Sequence, residues 1–259
     1  MDQSHKEGEP APTPVAAPAG AGESRFAVTY LRENSPTWDR ARFRAVLGGE
    51  IEPETQAEIG RRRTALRNYA PSPLHRSYGG KSHAGREGPG LVTSDILAIS
   101  PAYGAVLYNL ARSIEAGLIL EAGAGFGISS MYLAAAARRA EGGTLLSFEI
   151  SDYAAIAQAS VNLIDPGSRV VQGDFACFPS YLAGAAEVDL AFIDAVHEKD
   201  AMLRSFRSLI GWMARRSMII VDDLSYSESS REAFRCMMRM EHHDFVCIVN
   251  RRFGVLIKG

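Results

Sequence analysis

Between positions 118 and 258, short apolar runs alternate with longer segments whose apolar residues recur at helical spacing. Residues 118–120 read as a buried strand, and the Ala-rich stretch 128–139 reads as a helix. Strands follow at 145–149, 169–172, 190–194 and 218–222, separated by helices at 153–163, 198–214 and 227–240. Two last strands, 245–249 and 253–257, are joined through Asn250-Arg251-Arg252 and predict a hairpin. Strand–helix alternation demands right-handed crossovers. The expected fold is therefore α/β: a doubly wound, mostly parallel seven-stranded sheet with a C-terminal antiparallel hairpin and N-terminal accessory helices.

Ahead of this rhythm the pattern changes. Residues 1–24 are Ala, Pro, Gly and charge, too poor in apolar surface to offset ordering entropy, and are expected to be a disordered tail. Tyr30, Leu31, Trp38, Phe43, Val46 and Leu47 fall at helix-like spacing within 26–48, with a break near Ser35-Pro36-Thr37. Residues 55–68 predict a second helix, whose Arg61, Arg62 and Arg63 read as a solvated face. Residues 70–90, containing Tyr78-Gly79-Gly80-Lys81-Ser82-His83, form a long loop that suits a lid or a plain connector. Ser100-Pro101 supplies the cap and first-turn proline of a helix running to about 116. These readings divide the chain into a tail (1–24), a helical cap with its loop (25–96) and a catalytic unit (97–259).

Composition narrows the function classes. An apolar fraction of 46% supports a large core, and a net charge of −2 gives no electrostatic case for nucleic acid. Cys177, Cys236 and Cys247 are isolated, without metal spacing or a paired framework. No run is long and apolar enough to span a bilayer, and no secretion signal is evident, so a cytoplasmic protein is expected.

The candidate chemistry centres on Glu121-Ala122-Gly123-Ala124-Gly125-Phe126-Gly127, between the first strand of the rhythm and its helix. Glycines let a backbone approach a ligand closely, and a helix start offers free N–H groups. The spacing G-x-G-x-G differs from the dinucleotide fingerprint G-x-G-x-x-G. An acid that precedes the glycines would repel a pyrophosphate but attract an ammonium group. E-x-G-x-G-x-G after a buried strand resembles motif I of class I S-adenosylmethionine-dependent methyltransferases, as does a sheet that ends in a hairpin. The resemblance implies that Glu121, Gly123, Gly125 and Gly127 hold the methionine half of S-adenosyl-L-methionine.

Ligands of open α/β sheets lie beyond the carboxyl ends of the strands, and five acids stand there: Glu121, Glu149, Asp174, Asp194 and Asp222, with Asp223 adjoining. A carboxylate at Glu149 can accept both ribose hydroxyls. By resemblance, Asp174 contacts the adenine amino group, with Phe175 packed on the ring, and Asp194 belongs to the cofactor site as well. Asp194, Asp222 and Asp223 should converge from neighbouring strands, and three clustered carboxylates invite a hard divalent cation, Mg²⁺ or Mn²⁺. Phe-Ile-Asp-Ala-Val-His (192–197) and Ile-Ile-Val-Asp-Asp (219–223) resemble metal-dependent O-methyltransferases of the catechol and macrolide- or aminocoumarin-sugar types. That likeness implies Asp194, Asp222 and Asp223 as metal ligands and His197 as general base. It also implies a small hydroxylated substrate and a homo-oligomer, while charge and hydropathy lead us to expect no nucleic acid or membrane partner. A metal-free N- or C-methyltransferase, an inactive nucleoside-binding subunit and, more distantly, an NAD oxidoreductase remain as alternatives.

Overall fold

A computed structural model describes residues 26–69, 72–73, 91–182, 186–194, 196–240 and 242–259. The expected tail at 1–24 and nearly all of the expected loop at 70–90 lie outside them. In chain order come β1 (Val28–Glu33), α1 (Arg40–Leu47), α2 (Pro53–Leu66), β2 (Ser72–Pro73), β3 (Leu91–Val92), α3 (Ser94–Leu97) and α4 (Pro101–Ser113). Then follow β4 (Leu118–Ala122), α5 (Ile128–Ala137), β5 (Thr144–Glu149), α6 (Ala154–Val161), β6 (Arg169–Gln172) and a 3-10 segment, Phe175–Tyr181. The chain closes with β7 (Val188–Ile193), α7 (Lys199–Ile210), β8 (Met213–Val221), α8 (Glu228–Arg239), β9 (Phe245–Val249) and β10 (Phe253–Lys258).

The main sheet runs β1-β9-β10-β8-β7-β4-β5-β6. Strands β8, β7, β4, β5 and β6 are mutually parallel, while β10 is antiparallel to both β8 and β9. The order reverses between β4 and β7, and this switch point opens a crevice at the carboxyl ends. Successive strand residues feed opposite faces. Ile119, Leu145 and Ile220 join one apolar layer with α4 and α5, whereas Leu120, Leu146 and Ile219 join the other with α7 and α8.

Among the described residues the main sheet has eight strands rather than seven. Val28–Glu33 alternates between half-buried and exposed residues and pairs antiparallel with β9, so it is a strand where helical spacing was expected. Only Arg40–Leu47 of that stretch is helical, capped by the Asp39 side chain, which accepts from the Arg42 N–H. Arg62 and Arg63 also depart from the expected solvated face. Arg62 donates to Ser160 Oγ and the Ile156 carbonyl, and Arg63 to the Ile99 carbonyl. These bonds fasten α2 onto α6 and the entry to α4, tying the N-terminal helices to the main unit. Helix α7 ends earlier than the pattern suggested because β8 already begins at Met213.

Candidate active site at the strand ends

The glycine loop is held in a shape that side chains resist. Gly123, Gly125 and Gly127 all have positive φ, at 94°, 53° and 83°. At Gly127 a Cβ would lie 2.8 Å from both Cα and O of Ala157, so this glycine also permits close approach of α6. Gly125 faces open space instead, with nothing within 4 Å of a notional Cβ. The loop therefore packs on one side and leaves an uncovered backbone on the other. That cradle suits a small ligand brought close to the backbone.

Glu149, at the end of β5, is buried and tightly engaged. Its Oε2 accepts the Gly125 N–H at 2.7 Å, and its Oε1 accepts the Ser151 N–H at 2.9 Å and the Ser151 hydroxyl at 2.7 Å. Oε2 retains a lone pair for a further donor, while both lone pairs of Oε1 are taken by Ser151. Glu121 lies next to the end of β4, one strand over. It is wholly buried, with Oε2 accepting the Ser130 and Ser147 hydroxyls, so it braces the start of α5 against β5. Burial pushes its carboxyl above the usual range, and its Oε1 has no hydrogen-bond partner among the described residues.

The Asp174 carboxylate accepts the Ala176 N–H at 2.8 Å, capping the 3-10 segment from an exposed position. Phe175 turns inward instead. Its ring sits 5.7 Å from that of Phe148 and 5.2 Å from that of Phe178, within the apolar core.

Asp194, at the end of β7, and Asp223, just past β8, come together with His197. One ligand atom from each of the three lies within 4.8 Å of the others. His197 Nε2 is 3.4 Å from Asp223 Oδ2, and its ring lies 5.1 Å from that of Tyr226. Asp223 itself has φ of 55°, a left-handed conformation uncommon outside glycine, which turns the chain sharply at the site. Burial, then the charges of Asp222 and Asp223, hold the Asp194 carboxyl well above its usual range.

Asp222 is placed apart from that trio. It has no exposed surface, and Arg252 grips it with two parallel bonds, Nε to Oδ1 at 2.7 Å and Nη2 to Oδ2 at 2.6 Å. Burial pushes the Asp222 carboxyl up to about 6, with Arg252 opposing the rise. The guanidinium also lies 4.8 Å above the Tyr103 ring, with Nε 3.6 Å from Asp223 Oδ1. The sequence reading missed Arg252. Its signal was the hairpin turn: Asn250 and Arg251 both take positive φ, and the next residue is delivered beside the end of β8.

A mostly parallel sheet with a C-terminal antiparallel hairpin and a glycine loop after its central strand is the fold of solved methyltransferases. Residues 120–224 match the family model described as a methyltransferase domain. Among solved structures, cofactor-bound Rv0187 from MTB is 21% identical, with a TM-score of 0.56 over 81% of this chain and 90% of that one. The O-methyltransferase TomG from Streptomyces achromogenes, involved in tomaymycin synthesis and solved with SAM, is 19% identical, with a TM-score of 0.55 over 82% and 92%. An O-methyltransferase from Bacillus cereus in complex with SAH is 18% identical, with a TM-score of 0.54 over 80% and 90%. No curated protein sequence matches the chain. Among the described residues no helix is long and apolar enough to cross a membrane.

Proposed function

We propose that this protein transfers a methyl group from S-adenosylmethionine to a hydroxyl oxygen of a small molecule, with the acceptor seated at Asp194, His197 and Asp223. The observation that carries the reading is the convergence of those three donors within 4.8 Å, on the same strand ends that bear the glycine loop and Glu149. The open backbone at Gly125 and the spare lone pair of Glu149 Oε2 fit a nucleoside with its amino-acid tail. Gly125 allows close approach to the methionine half, with Gly127 seating the loop on α6, and Glu149 takes the ribose hydroxyls. Asp174 is the candidate for the adenine edge.

Methyl transfer needs the acceptor oxygen in line with the methyl carbon and the sulfonium sulfur, and it needs the hydroxyl proton removed. His197 is the proposed base. Asp223 lies close enough to fix the orientation of the imidazole. The carboxylate oxygens of Asp194 and Asp223 also fit a hard divalent ion, Mg²⁺ or Mn²⁺, which the two acids would hold. Such an ion lowers the pKa of a hydroxyl bound to it. A metal-independent transfer is the second reading, and one feature favours it: Arg252 already brings positive charge to the acids.

Calorimetry with S-adenosylmethionine is the first test, followed by transfer of a labelled methyl group to a panel of phenols, sugars and hydroxylated polyketides. Binding, together with labelled O-methyl product that depends on His197, is expected. A wild-type protein that does not bind S-adenosylmethionine would end the proposal.

A further inference from the structure

The three acids expected to share a metal are not equivalent. Asp222 is fully buried, and both of its oxygens are committed to Arg252 at 2.7 and 2.6 Å. Its Oδ1 also accepts the Asp223 N–H at 2.6 Å. Arg252 is fixed in turn from several directions. Its carbonyl accepts the Leu224 N–H at 3.0 Å, its N–H donates to the Val249 carbonyl at 2.9 Å, and its guanidinium lies over Tyr103. A bidentate guanidinium–carboxylate pair is among the strongest side-chain contacts, and breaking a buried one leaves an uncompensated charge.

We propose that Arg252 is the resident cation of this cluster: it removes Asp222 from the ligands open to a divalent ion, which is left to Asp194 and Asp223. The inference deepens the metal reading above and rests on it. Arg252 contributes a fixed positive charge 3.6 Å from Asp223, so it also weakens any cation placed there. The site is thereby a weaker cation site than its three acids suggest, and its ligand set differs from the one the sequence implies.

Mn²⁺ titration followed by electron paramagnetic resonance tests this without substrate. Arg252→Gln frees the Asp222 carboxylate and deletes the competing charge. Mn²⁺ affinity should then rise by about tenfold or more. The paired variant Asp222→Asn/Arg252→Gln keeps an amide pair in the same space and should return to within about threefold of wild type. A double variant that instead falls about tenfold or more below wild type shows that Asp222 is a ligand in the native protein and overturns the inference. An Arg252→Gln protein with no gain in affinity overturns it too. Asp223→Asn separates the underlying reading: unchanged Mn²⁺ affinity there removes the metal site itself. Should the Arg252 variants fail to fold, anomalous diffraction from wild-type crystals soaked in Mn²⁺ decides. The ion is expected against Asp194 and Asp223 with Arg252 still on Asp222. An ion on Asp222 with Arg252 displaced contradicts the proposal.

Discussion

The Gly125 N–H donates to Glu149 Oε2 at 2.7 Å, so the loop after β4 is fastened to the acid that ends β5. One carboxylate thus shapes the glycine loop and, in the proposed cofactor site, also takes the ribose hydroxyls. Coupling of this kind makes the site stiff before ligand enters, which lowers the ordering cost of binding.

Glu149→Ala removes both the loop anchor and the ribose acceptor. Hydrogen bonds to charged groups contribute about 1.5–3 kcal/mol each, so S-adenosylmethionine binding should weaken by about 10- to 100-fold. Calorimetry measures this directly. An unchanged affinity would place the nucleoside elsewhere.

Gly125 and Gly127 should separate function from stability. Gly127→Ala forces a left-handed residue and drives its Cβ against the Ala157 backbone at 2.8 Å. A loss of about 2–4 kcal/mol in unfolding free energy is expected from overpacking and strain together. Gly125→Ala meets open space, so only the conformational term of about 1–2 kcal/mol remains. Its larger effect should fall on cofactor affinity, because its methyl group would project into the ligand's space. Urea unfolding beside calorimetry reads both effects. Equal destabilisation by the two substitutions would contradict the packing account.

His197→Gln tests the base. The amide keeps polarity near Asp223 but cannot take a proton at neutral pH. The chemical step should slow by about 10²–10⁴-fold, while S-adenosylmethionine affinity stays near wild type. A rate within threefold of wild type would return the metal-free, base-free alternatives to the front.

The sequence disclosed most of what depends on local pattern. Strand ends, the glycine loop and the final hairpin all follow from periodicity and turn chemistry, and they bring Asp194, Asp222 and Asp223 to neighbouring strand ends, while the roles of those acids and of His197 came only from the family resemblance. What it hid depends on long-range geometry. Val28–Glu33 becomes a strand because β9 offers it an unpaired edge, a fact absent from its own residues. Arg62 looks like a surface charge until Ser160 and Ile156, nearly a hundred positions away, supply acceptors. The Asp222-Asp223 dipeptide reads as two equal ligands, yet Asp222 is buried against Arg252 while Asp223, at positive φ, turns toward His197. Adjacent identical residues take different principal partners, and only the hairpin's arginine reveals which one is spent on structure.

His243 gives a prediction remote from the active site. It is buried beside Phe206, and neither ring nitrogen has a hydrogen-bond partner among the described residues. Burial, followed by the charge of His242, pushes its pKa from 6.5 down to about 4. In the unfolded chain the imidazole gains its proton near its ordinary value, so between pH 6.5 and 4 the unfolded state binds more protons than the folded one. Stability is therefore present in full above pH 6.5 and falls as pH drops toward 4, by at most about 3 kcal/mol from this residue. His243→Phe keeps a ring beside Phe206 and removes both the titration and the two unpaired nitrogens. The variant should be at least as stable as wild type at pH 7, and its advantage should widen on acidification. Urea denaturation of both proteins at pH 7 and pH 4.5 isolates the difference, because carboxylates that titrate in the same range cancel between them. Parallel losses of stability in the two proteins would show that the imidazole reaches solvent or a partner in the folded state and carries no such penalty.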